Sequence, residues 1–208
     1  MRKLLIIGAS GHGKVIANIA HDCGKWDEIS FLDNDSTKIG SNLLGFNVID
    51  TTENLEVYVH EYEFIVGIGD VYARERVTNQ LLDLGANLST LIHPTAVIGL
   101  DVKVGQGSVL MPMSVINSSV TIGQGCIVNT SSTVDHDCFL GDFVHLSPGT
   151  TVSGSVNIGN RTWIGTGTKI INNLDIADDC MIGAGAVIVN SIHTSGLYIG
   201  IPAKEVIR

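Results

Sequence analysis

The stretch Asn129–Gly149, NTSSTVDHDCFLGDFVHLSPG, places His136 and His145 among hydroxyl side chains and aspartates. Imidazole, with an unperturbed pKa of about 6.5, takes up and releases protons at neutral pH and is also a common metal ligand. These histidines therefore have three readings. As a general base, a positioned imidazole removes the proton of an attacking amine or hydroxyl. As a metal ligand it needs converging partners, and the next histidines along the chain, His93 and His193, lie far outside the stretch, so no metal is expected. As a bend residue it is simply solvated. The choice depends on what the surrounding chain builds.

Every sixth residue from Ile92 to Ile188 is Ile, Val or Leu. The position four further on, from Ala96 to Ala186, is small or apolar throughout. A six-residue unit is too short for a helical repeat but suits a short strand and a bend, three units making one triangular coil of a parallel β-helix. Both positions then face inward, and Cys126, Cys138 and Cys180 are small interior fillers. With Cys23 they form no CxxC pair. Glycines following the aliphatic residue, such as Gly123, Gly141 and Gly159, fit bends where a side chain would crowd the next coil or where φ is positive. The register never breaks, so no external loop is expected. Flat triangular faces suit side-by-side packing into a threefold homo-oligomer.

Residues 1–91 lack this period. KLLII reads as a buried strand, followed by the glycine turn GASGHG and a helix with Val15, Ile16, Ile19 and Ala20 on one face. EISFLDND, FNVIDT and YEFIVGIGD read as three further strands, the last followed by a helix with Val77, Leu81, Leu82 and Leu84 on its apolar side. The alternation predicts a small α/β, Rossmann-like parallel sheet over residues 1–91, followed by the β-helix over 92–208. Ligands of such sheets sit at the carboxyl ends of the strands, here Gly8–Gly13, Asp33 and Gly67–Asp70. GASGHG does not match the dinucleotide spacing GxGxxG, and the domain is small for a dinucleotide fold. A mononucleotide portion, such as that of a nucleotide sugar, fits better. The plainer alternative is a bare strand-to-helix turn, with His12 an exposed turn residue.

Composition narrows the partners. Of 208 residues 44% are hydrophobic and the formal net charge is -9, with no basic cluster beyond Arg2 and Lys3, so nucleic acid is excluded as a partner. A small phosphate-bearing ligand is compatible, because backbone N–H groups bind it locally. No stretch approaches the roughly 20 apolar residues of a membrane span. The apolar run after Lys3 stops at Ile7 without a cleavage pattern, so no signal peptide is read and a cytoplasmic protein is expected.

Taken in order, IIGASGHGKV, FLDND, GIGDVYARERV, LIHPTAVI, VNTSSTVDHDCFLGDFVHLSPG and GIPAKEVIR resemble the NeuD/PglD-type sugar acyltransferases over essentially the whole chain. The resemblance implies a left-handed parallel β-helix, a homotrimer, acetyl-CoA as donor between neighbouring coils, and a sugar acceptor held partly by the α/β domain. By position it implies His136 as general base and Asp137 as the acid that orients or tunes it. Members often carry Glu there; Asp is one methylene shorter, and Asp135 is the substitute. His145, Gly154, Thr166 and Lys204 fall to acetyl-CoA, with the Gly154 N–H on the thioester carbonyl and Lys204 on a coenzyme phosphate. Gly8, Gly11, His12, Gly13, Asp33, Gly69, Arg74 and Asn129 fall to the sugar nucleotide. The implied activity is N-acetylation of a UDP- or GDP-linked amino-deoxy sugar for a surface glycan, by direct transfer without a nucleophilic cysteine. The alternatives are sialic acid O-acetylation and a non-catalytic nucleotide-sugar-binding scaffold.

Overall fold

The computed structural model describes residues 1–206, which form two compact units, one ending at Ile92 and the other beginning at His93. In the first, β1 (Lys3–Ile7), α1 (Gly11–Cys23), β2 (Glu28–Leu32), β3 (Asn42–Leu43), β4 (Phe46–Asp50), α2 (Leu55–Tyr58), β5 (Glu63–Val66), α3 (Val71–Asp83) and β6 (Asn87–Leu88) follow in order. The sheet runs β3-β4-β2-β1-β5-β6, parallel except for the β3–β4 hairpin. Leu4–Ile7 are all buried, as a central parallel strand requires. Helix α1 buries Ile16, Ala17, Ile19 and Ala20, whereas Val15 is 41% exposed. The inward stripe is thus rotated from the expected one, with Ala17 in place of Val15: at about 100° per residue, Val15 turns outward with Asn18 and Asp22. Leu81 of α3 is buried beside Phe64, Val66 and Leu88, with Val77, Leu82 and Leu84 at the margin of that cluster.

The second unit is a parallel β-helix. Two-residue strands stack into three faces, each strand pairing with the one a full coil later, as Ile127 pairs with His145 and His145 with Trp163. The first face runs from Val109–Leu110 to Leu197–Ile199, the second from Val97–Ile98 to Val187–Ile188, the third from Lys103–Val104 to Asp175–Ile176. From Leu110 onward the aliphatic ladder is buried; Ile98 is 37% exposed because its strand is the last of its sheet and has no neighbour on one side.

Of the two reasons for glycine after the ladder residue, only crowding applies. A Cβ on Gly123 would lie 2.7 Å from the backbone of Gly141 and one on Gly159 2.5 Å from that of Asp178. The positive φ falls two residues later, from Asp101 (φ 56°) through Asp137 (58°) to Gly185 (69°). Along the edge between the third and first faces, side chains cap the turn amides of the preceding coil: Gln124 N–H donates to Asp142 Oδ1, Asp142 N–H to Asn160 Oδ1 and Asn160 N–H to Asp178 Oδ1.

Cys126, Cys138 and Cys180 are buried and form no disulfide. Cys126 Sγ lies 3.0 Å from the Gly141 carbonyl and Cys138 Sγ 3.2 Å from that of Ser153, the bond that Ser132 makes to Ser147 at 2.9 Å. They serve as interior serines do. Cys138→Ala is expected to lower stability by about 1 kcal/mol while leaving turnover of the folded protein unchanged, checked by denaturant unfolding alongside kcat.

Candidate active site

His136 sits in the turn after the strand Thr133–Val134, on the edge between the second and third faces. Its Nδ1 lies 2.8 Å from Asp137 Oδ2, so aspartate reaches the ring despite its missing methylene. The left-handed backbone of Asp137 is the fold's ordinary turn conformation, and it lets consecutive side chains meet. Asp135 does not take that place; its Oδ1 accepts instead from the His136 backbone N–H at 2.8 Å and from Asn117 Nδ2 at 2.7 Å. The hydrogen bond that the ring donates to Asp137, and then the charge of Asp135, hold the His136 pKa above its ordinary value. The ring is largely exposed and lies against Gly154 one coil later, where a Cβ would stand 2.7 Å from Nε2. Gly154 N–H has no acceptor among the described residues. With Nδ1 occupied by Asp137, Nε2 is the free basic nitrogen, and an unused donor lies beside it.

A second cluster lies on the first face. His145 is buried and stacks on Trp163, ring centroids 5.3 Å apart and planes 12° from parallel. Asn129 Nδ2 is 3.4 Å from His145 Nε2, which groups Asn129 with this cluster. Trp163 Nε1 donates to Ser147 Oγ at 2.7 Å. Ser147, Trp163, Thr166, Met181, Gly183 and Leu197 line a mainly apolar pocket of about 270 Å³. Lys204, exposed, lies on a strand antiparallel to Leu197–Ile199, directly opposite Ile199. The apolar wall and open turn backbone suit an acyl-pantetheine arm, and Lys204 gives a nearby cation for a coenzyme phosphate. Thr166 lines this pocket, His145 adjoins it through Trp163, and Lys204 adjoins the strand that carries Leu197. Gly154 lies against the His136 ring.

In the first unit the glycine turn is built by close packing. A Cβ on Gly13 would lie 1.9 Å from the Gly8 carbonyl oxygen, and one on Gly67 2.9 Å from Gly13 Cα, so α1 begins in direct backbone contact with the ends of β1 and β5. Around Gly11 the space is open. Gly8, Ser10, Asp33, Asn34, Thr52 and Ile68 line a pocket of about 170 Å³ at the carboxyl ends of the strands, where sheets of this kind bind ligands. Asp33 Oδ2 accepts from Ala9 N–H at 2.7 Å and from Lys38 Nζ at 3.1 Å, tying the turn to β2. Arg74 is buried and donates to the carbonyls of Ile68 and Gly69, so it shapes the loop after β5 rather than lining the pocket. His12 Nε2 is buried without a hydrogen-bond partner among the described residues, and burial, then the nearby Arg74, push its pKa down to about 4. It is a neutral imidazole at pH 7.

Sequence reading missed Trp163, Asn34, Thr52 and Asn117. For Trp163 a signal was present: it follows His145 by one coil at an outward position, and residues so spaced stack. Asn34 and Thr52 hydrogen-bond each other from separate loops, a pairing no local spacing announces.

Residues 3–81 match the PglD N-terminal domain family and residues 155–190 the bacterial transferase hexapeptide (six repeats) family. The acetyltransferase domain of PglB from Neisseria gonorrhoeae FA1090 is 41% identical over 99% of this chain and 100% of its own, with a TM-score of 0.95. The same domain in complex with acetyl coenzyme A matches with a TM-score of 0.94. A histidine-to-asparagine variant of perosamine N-acetyltransferase from Caulobacter crescentus, in complex with CoA and GDP-perosamine, is 33% identical over 100% of this chain and 98% of its own, with a TM-score of 0.94. WeeI from Acinetobacter baumannii AYE is 26% identical over 99% of this chain and 100% of its own, with a TM-score of 0.90. No curated protein sequence matches the chain.

Proposed function

Because this chain belongs to the NeuD/PglD-type sugar acyltransferases, with an α/β domain and a left-handed β-helix of hexapeptide repeats and acetyl-CoA as donor, we propose that its acceptor is an amino-deoxy sugar linked to UDP or GDP. The acetyl group passes directly to the sugar's amino group. His136 Nε2 removes the ammonium-forming proton as the nitrogen attacks the thioester carbonyl, and the coenzyme leaves as the thiol after protonation. The Gly154 N–H stabilises the oxyanion in between. The observation that carries this reading is the His136–Asp137 pair over Gly154, a base with its orienting carboxylate beside an unused backbone donor. A positioned base is worth about a hundred- to ten-thousand-fold in rate.

An amino acceptor is favoured over a hydroxyl because a relative 33% identical over the full chain is a perosamine N-acetyltransferase holding GDP-perosamine. The product then feeds a surface glycan, and both substrates are metabolites of the cytoplasm. Among the described residues no helix is long and apolar enough to cross a membrane. The placement of the parts supports a homotrimer in this reading. The pocket beside Trp163 and Thr166 is on the first face and the edge that follows it, whereas His136 is on the next edge, with the whole second face between them. In such a trimer a neighbouring copy would supply the pocket that His136 lacks on its own edge.

The test is thiol release from acetyl-CoA against UDP- and GDP-linked 4-amino sugars and free sialic acid. Rapid release with one nucleotide amino sugar is expected. Release with sialic acid alone would replace the N-acetyl reading by O-acetylation, and coenzyme binding without release on any acceptor would leave the scaffold.

A further inference from the structure

The turn amides of the β-helix differ in how they are capped. On the edge between the third and first faces three successive amides, those of Gln124, Asp142 and Asn160, are capped by a side chain from the next coil, through Asp142, Asn160 and Asp178. The His136 amide has no such cap, because the residue above it is Gly154, which must lack a side chain for the imidazole to lie where it does. The cap comes instead from within the same turn, from Asp135 Oδ1 at 2.8 Å. That oxygen is itself fixed by Asn117 Nδ2, one coil below, at 2.7 Å. The same substitution of cap occurs at Thr130, whose amide is bound by Asn129 Oδ1 at 2.8 Å under Pro148, beside His145. A same-turn cap also occurs at Thr95, whose amide donates to His93 Nδ1 at 3.1 Å, so what sets the His136 turn apart is that its cap, Asp135, is itself held by a side chain of the coil below.

We infer that Asp135, held by Asn117, is a positioning residue for His136, fixing the backbone from which the imidazole projects over Gly154. This rests on His136 being the general base. The ionisable groups facing the imidazole are Asp135 and Asp137, with the Cys138 thiol against the His136 carbonyl at 3.6 Å. Asp135 is kept ionised, its pKa lowered first by the Asn117 hydrogen bond and then by the His136 amide. Its charge also favours the imidazolium, in keeping with the raised His136 pKa. The carboxylate therefore has two separable effects, geometry through Oδ1 and proton affinity through charge.

The experiment compares Asp135→Asn, Asp135→Ala and Asn117→Ala with His136→Ala and with Asn157→Ala, which breaks the analogous Asn157–Asp175 pair at 2.8 Å on the third face. Asp135→Asn keeps an acceptor but no charge; kcat is expected within about threefold of wild type, with the acidic limb of kcat/KM moved to lower pH. Removing a nearby negative charge destabilises the imidazolium, so the neutral base persists to lower pH. Asp135→Ala is expected to lower kcat about tenfold or more, with the KM for acetyl-CoA within twofold, and Asn117→Ala by a smaller factor in the same direction. Asn157→Ala is expected to alter stability and leave the pH profile in place. If His136→Ala is inactive while both Asp135 variants keep the wild-type kcat and pH profile, Asp135 is only a structural ladder residue and the inference fails. If His136→Ala stays active, the general-base reading fails instead.

Discussion

His136→Ala is expected to lower turnover at least about a hundredfold while acetyl-CoA binding and the oligomer persist. The imidazole is exposed on a turn and its ring supports no core packing, so its removal leaves the coil intact. What is lost is the proton acceptor at Nε2. The pH dependence adds a signature. The base acts in its neutral form, and its hydrogen bond to Asp137 with the charge of Asp135 raises its pKa above 6.5. Activity should therefore fall as pH drops through a midpoint above 6.5, higher than for a free imidazole. Kinetics of thiol release across pH, with coenzyme binding measured separately, check both points. A variant with wild-type turnover, or an acidic limb well below 6.5 in the wild type, would remove His136 from the chemistry.

The β-helix was legible because its signal is redundant. Each coil repeats the same inward aliphatic position, so the register could be read from Ile92 to Ile188 without any single residue being decisive. The α/β unit was legible more coarsely. Its central strands stand out as apolar runs, but β3 and β6 are two-residue strands at the sheet edges and carry no pattern of their own. Side-chain direction was the harder part. That Asp137 rather than Asp135 meets the imidazole follows from the left-handed φ at every such turn position, a backbone property visible only when the coils are seen together. Arg74 looked like a ligand cation because it lies near a glycine loop in sequence; in the structure its guanidinium is needed by that loop's own carbonyls. The contact of Gly154 with the His136 ring was not legible either, since it comes from stacking one coil away rather than from proximity in the chain.

Gly154→Ala separates the two tasks the geometry gives this residue, because alanine keeps the N–H and adds only a methyl group. Its Cβ would stand 2.7 Å from both Cε1 and Nε2 of His136, far inside van der Waals contact, so the imidazole has to swing away. The clash is with a side chain that has solvent to move into, unlike those at Gly123 and Gly159, where backbone of the next coil blocks the space. The variant is therefore expected to fold with nearly wild-type stability. Displacing a catalytic group by about 1 Å can cost on the order of a hundredfold, so kcat should fall ten- to a hundredfold with the KM for acetyl-CoA little changed. Because the oxyanion donor is still present, that loss reports the position of the base alone. Unchanged kcat in a folded Gly154→Ala enzyme would mean that the imidazole reaches its acceptor from another rotamer, and that the position against Gly154 is not the reactive geometry.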